Sequence, residues 1–263
     1  MSIHPTAIVD KGAKLGTNVE IGPYTIVQGG VEIGDDTKLW QNVFIATGTT
    51  IGNACQIHMG AVIGHEPQDV AFTGKPSYLK IGDRNIIREF VTIHRGTQEG
   101  SVTTLGDDNF IMALCHIAHN CRLGNKVIMA NNAMLAGYVE VGDGAFISAG
   151  CVVHQFVRLG KLVLASASSR ISKDVPPYMI AERDSMVASY NVIGLRRAGH
   201  DPAVRKQIKN AFKILYCSDL SIKNAVEKID SEMDSPEIKY LVDFIRTSER
   251  GICSFRKRRV YEL

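Results

Sequence analysis

The sequence predicts a mainly β fold, a parallel β-helix of hexapeptide repeats followed by a C-terminal α-helical domain. Two patterns indicate it: a six-residue aliphatic repeat that runs from Ile3 to Ile171, and a change to helical spacing after Asp174. Composition agrees, because the 263 residues include 24 glycines and only 7% aromatic residues. Such a chain suits a core of thin aliphatic layers better than one of large rings.

Every sixth residue from Ile3 onward is aliphatic with few exceptions. Of the 29 positions at this spacing up to Ile171, 25 are Ile, Leu, Val or Met. A period of six fits neither an α-helix nor the two-residue alternation of a long strand. It is typical of a solenoid in which three hexads form a coil of about 18 residues and neighbouring coils bury each other's faces. About nine such coils fill residues 3–175.

Two gaps in the repeat predict loops. The first gap runs from about His65 to Lys80 and the second from about Arg95 to Thr104. The aliphatic phase is the same on both sides of each gap, so each loop replaces a whole number of hexads. Asp69 therefore leaves the wall instead of entering the core. Long loops on a rigid scaffold commonly carry function.

The end of the chain predicts three helices. Asp201-Pro202 is typical of the N-cap and first residue of a helix that continues through Leu215. A second helix is expected over residues 221–233. Ser235-Pro236 begins a third, with Gly251 as its stop.

These patterns divide the chain into two predicted domains. The β-helix domain spans residues 1–190, with coils to about 175 and then a linker. The helical domain spans residues 191–263 and ends in a basic segment at residues 255–259.

Composition also limits the class of protein. The net charge of +3 gives no argument for nucleic-acid binding. No apolar run approaches the ~20 residues of a membrane span, and the N-terminus has no signal-peptide pattern. A cytoplasmic protein is expected. The cysteines fit a reducing compartment, because Cys55, Cys115, Cys121 and Cys151 all occupy the small inward position of a hexad, where buried free thiols are expected.

Three residues one coil apart form a candidate site. His119, Gly137 and Gln155 are separated by 18 residues each and therefore stack in a column, expected on the outer wall. His116 and His154 flank this column. A base, a backbone N–H without side-chain obstruction and an amide together fit acyl transfer. On this arithmetic alone, a polar surface column without function is an equal alternative.

Longer motifs carry a family resemblance over nearly the whole chain. They are Gln68-Asp69, Ile93-His94-Arg95-Gly96-Thr97, His116-Ile117-Ala118-His119, Ala130-Asn131-Asn132, Leu135-Ala136-Gly137, Val153-His154-Gln155-Phe156 and Asp174-Val175-Pro176-Pro177-Tyr178. Together they resemble the acyl-[acyl carrier protein]–UDP-N-acetylglucosamine O-acyltransferases of lipid A biosynthesis.

The resemblance implies a left-handed β-helix that forms a homotrimer with active sites between subunits. It implies transfer of an R-3-hydroxyacyl chain from acyl carrier protein to the 3-position of the UDP-sugar, the first step of lipid A biosynthesis. The attack is direct, with no covalent enzyme intermediate, no metal and no other cofactor. Carrier protein and UDP-sugar are the implied partners, with no nucleic acid and no membrane span.

The resemblance also assigns roles to residues. His119 is the general base, and the backbone N–H of Gly137 stabilises the oxyanion. The residues implied to bind substrate are Gln68, Asp69 and His116 for the sugar, and His154, Gln155, Asn191 and Arg197 for the nucleotide. Ala167 matches a position that limits acyl-chain length and is often glycine, so a slightly shortened acyl pocket is expected.

Four positions depart from the family pattern. Ala71 stands where a lysine is usual, Tyr138 replaces a histidine, Asn120 replaces an aspartate, and Ile193 stands near an expected glutamate. The base and the oxyanion donor are intact, but the substrate side is altered. Transfer to a 3-amino sugar nucleotide, which gives an amide, therefore stays an alternative.

Other functions compete with this interpretation. The hexapeptide N-acyltransferase that acts later in the same pathway carries an extra N-terminal domain, whereas the repeat here begins at Ile3. A γ-type carbonic anhydrase needs three zinc-binding histidines from adjacent subunits, and the spacing of His116 and His119 does not fit its pattern. A non-catalytic scaffold would not need the two loops and the column.

Overall fold

The computed structural model describes residues 1–255, and most of the predicted basic segment at 255–259 lies outside them. In most hexads, the repeat aliphatic residue and its predecessor form a two-residue strand, and the next residues turn the corner. The second turn residue often adopts a positive φ, as at Asn120 (60°) and Tyr138 (60°). Asparagine tolerates this conformation better than most residues, so it is frequent at the corners.

Strands account for most of the chain. In chain order they are β1 Ser2–Ile3, β2 Ile8–Val9, β3 Lys14–Leu15, β4 Glu20–Ile21, β5 Ile26–Val27, β6 Glu32–Ile33, β7 Lys38–Leu39, β8 Phe44–Ile45, β9 Thr49–Ile51, β10 Gln56–Ile57, β11 Val62–His65, β12 Tyr78–Ile81, β13 Ile86–Ile87, β14 Thr92–His94, β15 Val102–Leu105, β16 Phe110–Ile111, β17 His116–Ile117, β18 Arg122–Leu123, β19 Ile128–Met129, β20 Met134–Leu135, β21 Glu140–Val141, β22 Phe146–Ile147, β23 Val152–Val153, β24 Arg158–Leu159, β25 Leu164–Ala165, β26 Arg170–Ile171, β27 Met179–Glu182, β28 Met186–Tyr190 and β29 Ser254–Phe255.

In the described part of the chain, the strands form three sheets, which are the three walls of the β-helix. Sheet 1 has twelve strands from β1 to β29, sheet 2 has nine from β2 to β26, and sheet 3 has eight from β3 to β24. Within a wall, each strand pairs in parallel with the strand one coil later, as Ile3 with Ile21 and Val9 with Val27. Because the side-chain period on a strand is two, every repeat aliphatic points inward together, and the core is a stack of Ile, Leu and Val layers.

The small inward position of each hexad completes these layers. Cys55, Cys115, Cys121 and Cys151 occupy it, and all four are buried and free, as predicted. Burial raises the pKa of the Cys115 thiol to about 11. Such a thiol stays protonated and behaves as a small apolar group.

Both predicted loops are present, each somewhat shorter than its gap in the repeat. Loop 1 comprises residues 66–77, between β11 and β12, and loop 2 comprises residues 95–101, between β14 and β15. Across loop 1 the paired residues Gln56 and Ile86 are 30 positions apart in sequence, and across loop 2 Leu79 and Thr103 are 24 apart. Both separations are multiples of six. Both loops leave from the corner between sheets 2 and 3, which we call the loop corner. It also includes residues 118–121, 136–139 and 154–157.

The segment predicted as a linker is instead a β-hairpin. Strand β27 continues sheet 1 in parallel with β25, and β28 returns antiparallel to it. Met179, Ala181 and Val187 are buried. This segment alternates with a period of two, so the six-residue pattern did not reveal it. The division at 190/191 stays a prediction.

Four helices follow within residues 1–255. They are α1 Val192–Arg197, α2 Pro202–Cys217, α3 Ile222–Glu232 and α4 Pro236–Arg246. The predicted starts of α2, α3 and α4 are confirmed, while the short α1 was not predicted. Gly251 is not the stop of α4, because that helix ends at Arg246 with Thr247 as C-cap. Within residues 1–255, no helix is long and apolar enough to cross a membrane.

Gly251 serves a different contact. Its carbonyl accepts a hydrogen bond of 3.0 Å from the backbone N–H of Asp174, and the Asp174 carbonyl accepts one of 2.8 Å from Cys253. The chain after α4 therefore returns to the last coil, and β29 pairs with β28.

A buried ion pair ties the helices to the coil. Asp174 is 1% exposed, and its carboxylate accepts bonds from Arg158 Nε at 3.0 Å and from Ser248 Oγ at 2.8 Å. The Arg158 guanidinium also donates to the Phe244 carbonyl at 2.9 Å and lies over the Phe244 ring. Every charged atom of this contact has a partner, which a buried pair requires.

Asp174→Ala should lower the free energy of unfolding by about 3–5 kcal/mol, because it leaves Arg158 partly buried without its counterion. The matched control is Asp184→Ala, which breaks an exposed pair with Arg170 of 3.2 Å and should cost about 1 kcal/mol or less. Denaturant unfolding measures both. Equal losses in the two variants would contradict the assigned role of Asp174.

Candidate active site

The loop corner gathers the predicted column and loop 1. The Tyr138 N–H donates to the His119 carbonyl at 3.0 Å, and the Phe156 N–H donates to the Gly137 carbonyl at 3.1 Å. His119, Gly137 and Gln155 are therefore stacked one coil apart, as the arithmetic predicted. They lie in turns at the corner and not on the flat outer wall, which corrects the expected position. This places the column where both loops leave the coil.

Gly137 leaves the space that the His119 ring occupies. A Cβ added to Gly137 would lie 2.5 Å from His119 Cε1 and 2.7 Å from Nε2, closer than any real contact. Within residues 1–255, the backbone N–H of Gly137 donates to no protein acceptor. The imidazole ring thus lies directly against the backbone of Gly137, whose N–H is unused, and acyl transfer needs both a base and an oxyanion donor.

Loop 1 places a carboxylate beside this ring. His119 is 7% exposed, and its Nε2 lies 3.5 Å from Asp69 Oδ2. Asp69 Oδ1 accepts a hydrogen bond of 3.0 Å from the Ala71 backbone N–H, so the loop itself orients the carboxylate. Ala71 contributes its backbone N–H to this contact.

Neutral histidines surround His119 on the side of sheet 2. His94 is buried, and burial first, then the charges of His116, His65 and His119, lower its pKa to about 4. Its Nδ1 accepts a 3.4 Å bond from the backbone N–H of Gln68. His116 lies 2.7 Å from Thr92 Oγ1 through its Nδ1. Burial, followed by the charge of His119, lowers the pKa of His116.

The remaining predicted residues are dispersed. His154 is exposed on the loop corner, with its Nδ1 3.2 Å from the Gln155 carbonyl. Asn191 is buried on the corner between sheets 3 and 1, where its amide donates to the Leu162 carbonyl at 2.8 Å and accepts from Gly194 N–H at 2.9 Å. Its side chain therefore caps α1.

Two further predicted residues lie away from the loop corner. Arg197 is exposed at the end of α1, beside a cleft of about 590 Å³ that Lys126 and Lys161 also line. Ala167 is exposed on the corner between sheets 1 and 2, one coil above Ala149. One chain brings together Gln68, Asp69, His116, His119, Gly137 and Gln155, but it does not bring Arg197 or Ala167 to them.

Sequence reasoning missed the contacts of loop 2. Thr97 donates its backbone N–H to Asn120 Oδ1 at 3.0 Å, and Gln98 contacts both Asn120 and Tyr138. The only available signal was the second gap in the repeat, which marks a loop without indicating what it touches. Among residues 1–255, no group of three or more His, Cys, Asp or Glu is arranged to hold a metal ion.

Comparisons with known proteins agree on one family. The family model described as UDP-N-acetylglucosamine O-acyltransferase, domain 2, matches residues 174–253. The bacterial transferase hexapeptide model matches residues 12–47, 30–65 and 103–137. An acyl-[acyl-carrier-protein]–UDP-N-acetylglucosamine O-acyltransferase of Herminiimonas arsenicoxydans is 48% identical over 257 residues, covering 95% of this chain and 98% of the relative.

Solved structures have the same fold. A UDP-N-acetylglucosamine acyltransferase from Bacteroides fragilis is 45% identical with a TM-score of 0.92, covering 95% of this chain and 99% of that one. The enzyme from Campylobacter jejuni is 37% identical with a TM-score of 0.92, covering 97% and 100%. The predicted left-handed β-helix with C-terminal helices is confirmed.

We expect the stability of the protein to fall as pH falls from about 6.5 to about 4. The folded-state pKa of His94 lies near 4, below its ordinary value of 6.5. The unfolded chain therefore binds an extra proton in this window, which costs the folded state up to roughly 3 kcal/mol. His94→Gln should flatten the dependence of the unfolding free energy on pH, whereas His4→Gln at the exposed N-terminus should not. An unchanged slope in His94→Gln would count against this account.

Gly137→Ala should destabilise the protein by about 1–3 kcal/mol, because the new methyl group displaces the His119 ring. Alanine suits this turn position elsewhere, as Ala113 and Ala149 show. The cost should therefore disappear in the His119→Ala background. Unfolding free energies of the two single variants and the double variant test this. An equal cost in both backgrounds would show that the ring is not the obstacle.

Proposed function

This chain belongs to the family of acyl-[acyl-carrier-protein]–UDP-N-acetylglucosamine O-acyltransferases, and we propose that the column on its loop corner performs the transfer. Family membership identifies the reaction as acyl transfer from acyl carrier protein to UDP-N-acetylglucosamine, the first step of lipid A biosynthesis. The proposal adds an R-3-hydroxyacyl chain, the sugar 3-hydroxyl as acceptor, and the residues that act. The observation that carries it is that the His119 ring, with its Nε2, lies directly against Gly137, which has no side chain in the way.

In the proposed mechanism, His119 Nε2 takes the proton of the attacking sugar hydroxyl. The hydroxyl oxygen forms a bond to the thioester carbon, and the N–H of Gly137 donates to the developing oxyanion. The carbon–sulfur bond then breaks, and His119 returns the proton to the leaving thiolate. General base catalysis of this kind contributes about 10²–10⁴-fold in rate. A preorganised oxyanion donor adds a comparable factor, on the order of 10²–10³.

The acceptor sugar is proposed to bind where loop 1 meets the column. Asp69 Oδ2 lies 3.5 Å from His119 Nε2, so its carboxylate can accept a hydrogen bond from a second hydroxyl of the sugar whose attacking hydroxyl contacts Nε2. Gln68 and His116 adjoin the same space. His154 and Gln155, two coils further along the corner, are proposed to contact the nucleotide together with Asn191 and Arg197.

A homotrimer would bring the dispersed predicted residues together in one site. Within one chain, Arg197 at the end of α1 and Ala167 on another corner are kept apart from the column, whereas neighbouring copies can bring different parts of the surface together. The outer face of sheet 2 also favours association, because Ile8, Ile26, Met134 and Val152 are 37–64% exposed there. Sheet 3 instead presents ion pairs such as Lys14–Glu32. We propose a cytoplasmic trimer, since acyl carrier protein is its partner.

His119→Ala should lower kcat for transfer by about 10²–10⁴-fold, because the acceptor hydroxyl loses its base. Purified protein is offered acyl carrier proteins of several chain lengths, with the 3-hydroxy and 3-amino forms of the sugar nucleotide. Products are identified by mass spectrometry, and His4→Ala serves as the control. Near-normal transfer by His119→Ala would overturn the general-base role.

The same preparation tests the remaining parts of the proposal. If only the 3-amino sugar gives product, the acceptor group is an amine and not a hydroxyl. Sedimentation equilibrium should give three chains per particle, and a monomer that is fully active would contradict a site shared between subunits.

Ala167→Gly should shift acyl preference toward longer chains, because it removes one methyl group from the proposed limit of the acyl pocket. Accommodating one more methylene is worth about 0.8 kcal/mol, or roughly fourfold in the ratio of kcat/KM values. Ala54→Gly, at a corner turn of an early coil, is the matched control and should leave the preference unchanged. Identical preferences in Ala167→Gly and the wild type would remove Ala167 from the acyl site.

A further inference from the structure

Two of the departures from the family pattern are parts of one hydrogen-bonded chain. Asn120 Nδ2 donates to Gln98 Oε1 at 3.4 Å, and Gln98 Nε2 donates to the Tyr138 hydroxyl. The Tyr138 ring stands perpendicular to the His119 ring, with centroids 5.4 Å apart, and stacks on Phe156 at 4.8 Å. Loop 2 thus bridges the two residues that flank the proposed base.

The backbone of loop 2 fixes which way the Asn120 amide faces. The Thr97 N–H can only donate, and it lies 3.0 Å from the Asn120 atom that is also 3.0 Å from His119 Nδ1. That atom must therefore be the carbonyl oxygen Oδ1, which only accepts. A hydrogen bond from His119 then requires a proton on Nδ1. In the neutral ring, Nε2, which lies 3.5 Å from Asp69 Oδ2, then carries the lone pair.

We propose that Asn120 is a positioning residue that fixes His119 in the Nδ1-protonated tautomer, with Thr97 and Gln98 of loop 2 holding the amide. This inference rests on the proposed role of His119 as general base. Because an amide carries no charge, Asn120 orients the ring without favouring its protonated form. The other groups that face the ring are Asp69, His94, His116 and Tyr138.

The first test compares Asn120→Ala and Asn120→Asp with the wild type. Asn120→Ala should lower kcat about tenfold or more with little change in KM, because the ring then populates the wrong tautomer. Asn120→Asp should restore kcat at high pH, since a carboxylate also accepts from Nδ1. Its negative charge should move the acidic limb of the pH–rate profile to higher pH. Unchanged kcat in Asn120→Ala would overturn the proposal.

A direct readout does not depend on catalysis. In protein labelled with ¹⁵N-histidine, NMR distinguishes the two ring tautomers, and His119→Ala identifies the signal. We expect the Nδ1-protonated form in the wild type and in Asn120→Asp, and its loss in Asn120→Ala. If His119→Ala keeps its activity, the general-base proposal fails, while the tautomer readout still decides the role of Asn120. The Nδ1-protonated form persisting in Asn120→Ala would refute it.

Two further variants separate this role from a merely structural one. Asn42 has the same turn conformation (φ 56°) at a corner of an early coil, so Asn42→Ala should change neither kcat nor the tautomer. Alanine is tolerated in this turn conformation, since Ala54 adopts it with a φ of 52°. Tyr138→Phe keeps the ring but removes the hydroxyl that Gln98 reaches, and it should lower kcat by about fivefold, the worth of one hydrogen bond. No loss in Tyr138→Phe would contradict the role of Gln98.

Discussion

The parallel pairing of each coil with the next is the constraint on which the rest of the structure depends. A strand of two residues has no stability of its own, so each one persists only because it is bonded to the coils on either side. Ile117, for example, pairs with Ile93 before it and with Leu135 after it. This parallel pairing places each strand residue directly beside the residues one coil before it and one coil after it. It also turns equal sequence separation into physical stacking, which is why His119 lies against Gly137: the strands that precede them, β17 and β20, are paired.

The loops add chemistry without disturbing this pairing. Each replaces a whole number of hexads, so the aliphatic residue that follows re-enters the core in phase, as Ile81 and Leu105 do. Both leave from the same corner, on consecutive coils directly before the coil of His119. Loop 1 therefore reaches the Nε2 side of the ring through Asp69, and loop 2 reaches the Nδ1 side through Asn120. The β-helix holds the His119 ring in place, and the two loops determine which groups lie next to each of its nitrogens.

Burial gives the corner its electrostatic character. His94 and His116 are kept neutral by desolvation, so they serve as hydrogen-bonding groups and not as cations near His119. The backbone N–H of Gln68 donates to neutral His94. The position of loop 1 therefore depends on the protonation state of His94, a residue that need not touch substrate. The His119 ring therefore meets a neutral amide on one side and the Asp69 carboxylate on the other.

The sequence by itself determined the features that repeat. The six-residue period predicted the coils, the inward cysteines and the column of His119, Gly137 and Gln155, because spacing along a solenoid is also spacing in space. Helix starts such as Asp201-Pro202 were also predictable, because the pattern that begins a helix involves only neighbouring residues in the sequence. Only the tertiary structure decided the hairpin of β27 and β28, the return of residues 251–253 to Asp174, and the contacts of Thr97 and Gln98 with Asn120 and Tyr138. These join residues with no common period, so their partners are set by how loops and helices fold back onto the coil.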